Sequence, residues 1–192
     1  MNIGEYMAMM DCQSSDEVYE KVSSWSSELS THDHLVRSTI LDIQASLEGL
    51  LKNVYFHILL TVLFQGKDKK KNESARDELF KTITRMNFSS IYRTLRPILQ
   101  TYPDSDLYPI QAINDLRNDV AHSNEFSSIQ YKGRNPFKDA DSLAQVYLEA
   151  WAARESLKEF YHHMVKDPAA ISAHYPEFGR TKFDNSKFEN NE

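Results

Sequence analysis

Residues 33–64 read DHLVRSTILDIQASLEGLLKNVYFHILLTVLF, and this stretch decides the fold. Its apolar residues recur at intervals of three and four, which is the spacing of one face of an α-helix. The residues on this face are Val36, Ile40, Ile43, Leu47, Leu50, Val54, Ile58 and Leu59. Such a helix rises about 1.5 Å per residue and extends over roughly 45 Å. Its most apolar part, residues 54–64, is shorter than the ~20 residues that a membrane-spanning helix needs, so we predict a core helix.

The rest of the chain has few residues that break helices. Its 192 residues include 5 Gly and 6 Pro, about half of the usual share of ~12 %. This composition leaves little room for the many turns of a β-sandwich or barrel. We therefore predict an all-α protein with one helical bundle at residues 33–166, built from two long helices and several shorter ones. An N-terminal helical extension is expected at residues 1–32 and a polar tail at 167–192.

Helical spacing also predicts the remaining elements. The predicted helices cover residues 16–29, 75–86, 89–99, 110–123 and 141–166. Pro97 is expected to break or kink its helix, whereas Pro109 suits the first turn of the next one. Residues 124–140 are expected to form a loop because they contain Gly133 and Pro136. The apolar positions of the last helix are Leu143, Val146, Tyr147, Ala150, Leu157, Tyr161 and Met164.

The cysteine content and the N-terminal sequence favour a reducing compartment. The single Cys12 excludes an internal disulfide and a zinc site built from cysteines. No basic stretch followed by an apolar run opens the sequence, so nothing predicts secretion. We expect a cytoplasmic protein without membrane association.

The formal net charge is -6, but one segment is basic. Residues 65–100 carry nine basic and four acidic residues. Such an asymmetry can attract a polyanion locally. For Lys67–Lys71 alone, a solvated lysine-rich loop is the simpler interpretation.

The segment most informative about chemistry is INDLRNDVAH, residues 113–122. On a helix that turns about 100° per residue, its three large apolar residues share one face. These are Ile113, Leu116 and Val120. The adjoining arc, from about 40° to 180°, holds side chains suited to a phosphate. In order around the helix they are Arg117, Ala121, Asn114, Asn118 and His122.

These residue types can handle a phosphate and a proton. Arg117 can donate two parallel N–H bonds to a phosphate, Asn118 can add a donor, and His122 can transfer a proton near neutral pH. Asp115 can orient the ring of His122. The alternative is structural: Arg117 then pairs with Asp115, Glu48 or another carboxylate of the bundle, and His122 caps the helix C-terminus.

A stripe of possible metal ligands lies on the last helix. Glu159, His163 and Asp167 recur every four residues. No known metal motif has this spacing, so we favour a solvated helix end and predict neither a metal nor a cofactor.

The run Arg117-Asn118-Asp119-Val120-Ala121-His122 resembles the Arg-(polar)-x3-His signature of the HEPN superfamily. That family consists of α-helical bundles in toxins, abortive-infection proteins and CRISPR-linked nucleases. Residues 37–56 resemble the long early helix of that fold, and the helix from Asp141 resembles the closing helix. The resemblance covers roughly residues 33–165 in architecture and six residues as a motif. It implies a HEPN-like helical bundle.

The resemblance also implies an activity, because active members are metal-independent endoribonucleases that use the RNA 2′-hydroxyl. On this basis Arg117, Asn118 and His122 are the expected catalytic residues. The expected supporting residues are Asp115, Asn114 and Glu48, and the expected RNA-binding residues are Arg93 and Arg96. The setting implied is a toxin, phage defence or RNA processing, with an antitoxin or a regulator protein as a possible partner.

Two features of the family bear on assembly and on the alternative function. One motif histidine per chain predicts a two-fold homodimer that brings two copies of the motif to one cleft. In toxins paired with nucleotidyltransferase antitoxins a tyrosine follows the histidine by two positions, whereas here Ser123 and Asn124 follow it. The superfamily also contains regulators such as the mannitol-operon repressor type. A non-catalytic RNA-binding or regulatory protein is therefore the alternative.

Overall fold

The computed structural model describes residues 32–64, 72–99 and 108–166, together with Asp16, Glu17 and Glu20. These residues are all-α, as predicted, and they form five α-helices. The helices are α1 (Asp33–Phe64), α2 (Glu73–Arg85), α3 (Phe88–Leu99), α4 (Tyr108–His122) and α5 (Ala140–Lys166). Most of the predicted 16–29 helix and the whole 167–192 tail lie outside the described residues.

The long first helix has the predicted bounds and nearly the predicted buried face. Val36, Ile40 and Ile43 are fully buried, as expected. Leu50 is half-buried, and Leu51 is fully buried instead. The reason is the 3.6-residue period, which places the core-facing position after Leu47 between residues 50 and 51.

By length and composition alone, α1 also qualifies as a membrane-spanning helix. Its most apolar 18 residues have a mean hydropathy of 1.4, and 33 % of them are buried. Core helices of soluble proteins pass the same test, so length and hydropathy do not distinguish a membrane-spanning helix from a core helix here.

The chain divides into two compact units. Of the described segments, the first unit contains residues 32–48 and 108–156, and the second contains residues 49–64, 72–99 and 157–166. Each unit has its own fully buried side chains. In the first these include Ile40, Ile43, Leu47, Ile113, Val120, Leu143 and Tyr147. In the second they include Leu51, Leu79, Ile83, Ile91, Leu95 and Leu157.

Two positions in the helices of the second unit, Pro97 and Phe80, have unusual surroundings. Helix α3 continues through Pro97 to Leu99, so Pro97 does not break it. Pro97 is exposed, and the carbonyl that loses its donor belongs to exposed Arg93, where water can replace the donor. On α2, Phe80 follows buried Leu79 but is 48 % exposed, and its ring meets that of Phe56 edge-on at 5.3 Å.

The predicted loop before α5 contains ordered structure. A 3-10 turn covers Phe126–Ser128. Backbone hydrogen bonds then join Tyr131 and Arg134 in both directions, at 2.7 and 3.1 Å. The residues between them, Lys132 and Gly133, have φ angles of 50° and 82°, which is the signature of a type I′ hairpin turn. The loop is held to α5 because the Tyr131 hydroxyl and the Lys132 ammonium both donate to Glu149, each at 2.5 Å.

Candidate functional site on helix α4

Helix α4 has the rotation about its axis that the sequence predicts. Ile113, Leu116 and Val120 are buried at 0, 2 and 0 % exposure. Pro109 lies in the first turn, as expected. Because these positions fix the helix phase, Arg117 is half-buried beside the core and His122 is exposed.

The guanidinium of Arg117 contacts its neighbour Asn118. Its Nη1 donates to Asn118 Oδ1 at 3.0 Å. Within residues 32–64, 72–99 and 108–166, no acidic side chain forms an ion pair with Arg117, and its other N–H donors have no hydrogen-bond partner. The pairing with Asp115, Glu48 or another carboxylate that the structural alternative predicts is therefore not formed among these residues.

His122 is the last residue of α4. A cationic imidazole there is favourable, because the last carbonyls of a helix carry partial negative charge. Asp115 accepts a hydrogen bond from Gln111 Nε2 at 2.7 Å. In the part of the chain that the structure describes, no hydrogen bond joins Asp115 to His122. The expected orientation of the ring by Asp115 is thus not observed there.

The two other expected supporting residues, Asn114 and Glu48, are linked through a third. Gln44 Nε2 donates to Glu48 Oε2 at 3.0 Å and to Asn114 Oδ1 at 3.5 Å. Gln44 and Asn114 are 3 and 5 % exposed. Gln44 is not among the predicted site residues, although its position four residues after Ile40 and three before Leu47 places it on the buried face.

A second residue that sequence reasoning missed is Arg37, near the start of α1. Its Nη2 donates to the backbone oxygen of Ala121, the neighbour of His122, at 3.4 Å. Its guanidinium carbon lies 5.9 Å from the ring centre of Phe126. Nothing in the local pattern singles out Arg37, because its partner lies 84 positions away.

The residues predicted to bind RNA or a metal are not part of α4. Arg93 and Arg96, the expected RNA-binding residues, are exposed on α3 in the second unit, whereas Lys67–Lys71 lies outside the described residues. Of the possible metal stripe, Glu159 is exposed, and the side chains of His163 and Asp167 are not among those described. No group of three metal-ligating side chains occurs within the described segments.

No family model matches the chain, and neither a curated protein nor a solved structure is significantly similar to it. The residues of α4 and their surroundings are therefore the basis for a functional proposal.

Proposed function

We propose that the protein is a metal-independent endoribonuclease of HEPN type, acting in the cytoplasm. One observation supports this most directly: Arg117 is half-buried without an acidic partner among the described residues, and the exposed His122 follows on the same helix. A cation held beside a core without a counter-ion suits an anionic ligand, because desolvation strengthens its attraction to a phosphate.

The proposed reaction needs only groups of this kind. The RNA 2′-oxygen attacks the adjacent phosphorus, and the bond from phosphorus to the 5′-oxygen breaks. A base takes the proton of the 2′-hydroxyl, and an acid returns a proton to the leaving 5′-oxygen. Arg117 and Asn118 stabilise the charge on the phosphate oxygens, and His122 transfers the proton. The products are a 2′,3′-cyclic phosphate and a 5′-hydroxyl.

The acid and the base require two proton-transfer groups, and each chain supplies one motif histidine. We propose a two-fold homodimer that joins two α4 helices at one cleft. Light scattering at micromolar protein concentration is expected to give the mass of a dimer. A monomer with full activity at the same concentration contradicts this assembly.

Cleavage of a labelled RNA in EDTA tests the activity. His122→Ala and Arg117→Ala are each expected to lower the rate at least ~100-fold, the usual loss for proton transfer or charge stabilisation. Replacing the 2′-hydroxyl at the cleaved position with hydrogen should block the reaction. His162→Ala and Lys138→Ala serve as matched controls because both side chains are exposed and lie outside α4 and the basic segment. If the two motif variants fold and cleave like wild type, the assignment is wrong.

A second candidate is a non-catalytic HEPN-like protein that binds RNA or regulates a partner. It is favoured by the absence, among the described residues, of a hydrogen bond that orients His122. This candidate predicts RNA binding that depends on Arg117 and no cyclic-phosphate product. The buried Tyr131, whose hydroxyl donates to Glu149, does not replace the tyrosine that antitoxin-paired members carry after the histidine.

The biological setting we propose is a toxin, phage defence or RNA processing.

A further inference from the structure

The end of α4 is joined to the start of α1 inside the first unit. The last four carbonyls of an α-helix have no partner within the helix. One of them, the Asp119 oxygen, accepts from the backbone N–H of Ser123 at 2.9 Å. Another, the Ala121 oxygen, accepts from Arg37 Nη2 at 3.4 Å. Arg37 therefore contacts the residue immediately before His122.

Arg37 also lies against an aromatic ring. Its guanidinium carbon lies 5.9 Å from the ring centre of Phe126, within the range of a cation–π interaction. That ring stacks on Phe137 with centroids 4.5 Å apart and planes 4° from parallel. Arg37 is half-buried, and its contacts with the Ala121 carbonyl and the Phe126 ring restrict its position.

We infer that Arg37 is a positioning residue for His122, acting through the Ala121 carbonyl. His122 is exposed, and no side-chain hydrogen bond holds its ring among the described residues. The backbone at Ala121 consequently determines where the imidazole lies. The charge of Arg37 also stabilises this helix end, because a cation near the C-terminus complements the helix dipole.

The catalytic part of this inference rests on the proposed ribonuclease function, whereas the structural part does not. Displacing a reacting group by about 1 Å can cost ~100-fold in rate. Arg37 itself need not contact RNA. Its replacement is expected to lower kcat and to leave KM nearly unchanged, since ground-state binding of RNA is retained.

Three variants test the inference. Arg37→Met leaves a long side chain that has neither a charge nor a hydrogen-bond donor. Arg37→Lys keeps the positive charge and can donate through its ammonium group. Lys138→Met is the matched control, because Lys138 is an exposed cation of the same unit. The readouts are amide hydrogen exchange of Ser123, the imidazole NMR signals of His122, and kcat and KM on RNA.

Arg37→Met removes the hydrogen bond from Arg37 to the Ala121 oxygen and so weakens the end of α4. Amide exchange of Ser123 is therefore expected to accelerate at least ~5-fold, the usual effect of losing one hydrogen bond. The His122 ring signals should shift, and kcat should fall ~10-fold or more at constant KM. Arg37→Lys should recover part of each change, and Lys138→Met should change none. A raised KM with unchanged kcat overturns the inference in favour of direct RNA binding.

The two proposals can fail separately. If wild-type protein cleaves no RNA, the ribonuclease proposal fails, and the Ser123 exchange and His122 signals alone decide the role of Arg37. If these two signals are the same in Arg37→Met and wild type, the positioning role is refuted whatever the activity.

Discussion

Gln44 Nε2 donates to the side-chain oxygen of Asn114 at 3.5 Å, across 70 positions of sequence. Both side chains are at least nine-tenths buried. The same nitrogen donates to Glu48, so one amide group connects two residues of α1 with the face of α4 that adjoins Arg117. Buried polar groups are costly when unpaired, and this pairing therefore helps to fix how α1 and α4 meet in the first unit.

Replacing Gln44 with leucine is expected to destabilise the protein by about 1–3 kcal/mol, because Asn114 Oδ1 loses its donor inside the core. The matched control is Gln111→Leu, which removes a similar amide donor from the exposed Asp115. The control is expected to change stability by no more than about 0.5 kcal/mol. Urea unfolding of both variants measures the difference, and equal losses contradict a structural role for the buried pair.

Two glycines are expected to respond oppositely to alanine. Gly49 lies inside α1, and an added Cβ meets nothing within 4 Å. Gly49→Ala should therefore stabilise the protein by about 0.5–1 kcal/mol. Gly133 has the same open space but a φ of 82°, so Gly133→Ala should destabilise the type I′ turn. Thermal unfolding checks the pair, and a shift of both midpoints in the same direction refutes the argument.

His57 in the second unit should titrate below its ordinary pKa near 6.5. Burial is the larger cause of the lowered pKa of His57, and the positive charge of Arg76 lowers this pKa further. The unfolded chain then binds more protons than the folded one between the lowered pKa and about pH 6.5. The stability that His57 contributes is thus complete above about pH 6.5 and is lost as the pH falls through the folded pKa.

NMR titration of the His57 ring measures this shift. Arg76→Gln removes the second cause and should raise the pKa of His57 toward its ordinary value without fully restoring it. Arg85→Gln on the same helix is the control and should leave the titration unchanged. A wild-type pKa for His57 at or above 6.5 contradicts the prediction.

Arg93 and Arg96 are expected to bind the phosphate backbone of RNA. Each phosphate neutralised on a single strand contributes about 0.7 to the slope of log affinity against log salt. Replacing both arginines with glutamine should weaken binding and flatten this slope by roughly one unit. The rate at saturating RNA should change little, because such contacts stabilise ground and transition states alike.

The control for the salt experiment removes two exposed cations of the other unit. Lys132→Gln with Lys138→Gln changes the net charge equally. Fluorescence anisotropy at several salt concentrations compares the two double variants. If the arginine pair alters neither affinity nor slope, both arginines are surface charges unrelated to RNA.

The sequence by itself determined the all-α class, the bounds of α1 and the rotation of α4. These properties follow from the 3.6-residue period, which depends on neighbours within one or two turns. Ile113, Leu116 and Val120 are buried as predicted, so the exposure of His122 could be anticipated. The 3.6-residue period alone does not determine whether Leu50 or Leu51 is the buried residue of that turn.

Only the tertiary structure decided which groups of different elements meet. Gln44 reaches Asn114, and Arg37 reaches Ala121, over separations of 70 and 84 residues. Such contacts depend on how helices pack and on which rotamers fit there, and no local pattern carries that information. By contrast, the partner of Asp115 is local, because Gln111 lies four residues earlier on the same helix face. The spacing thus predicted which face of α4 is buried, whereas packing decided that Gln44 and Arg37 contact this helix.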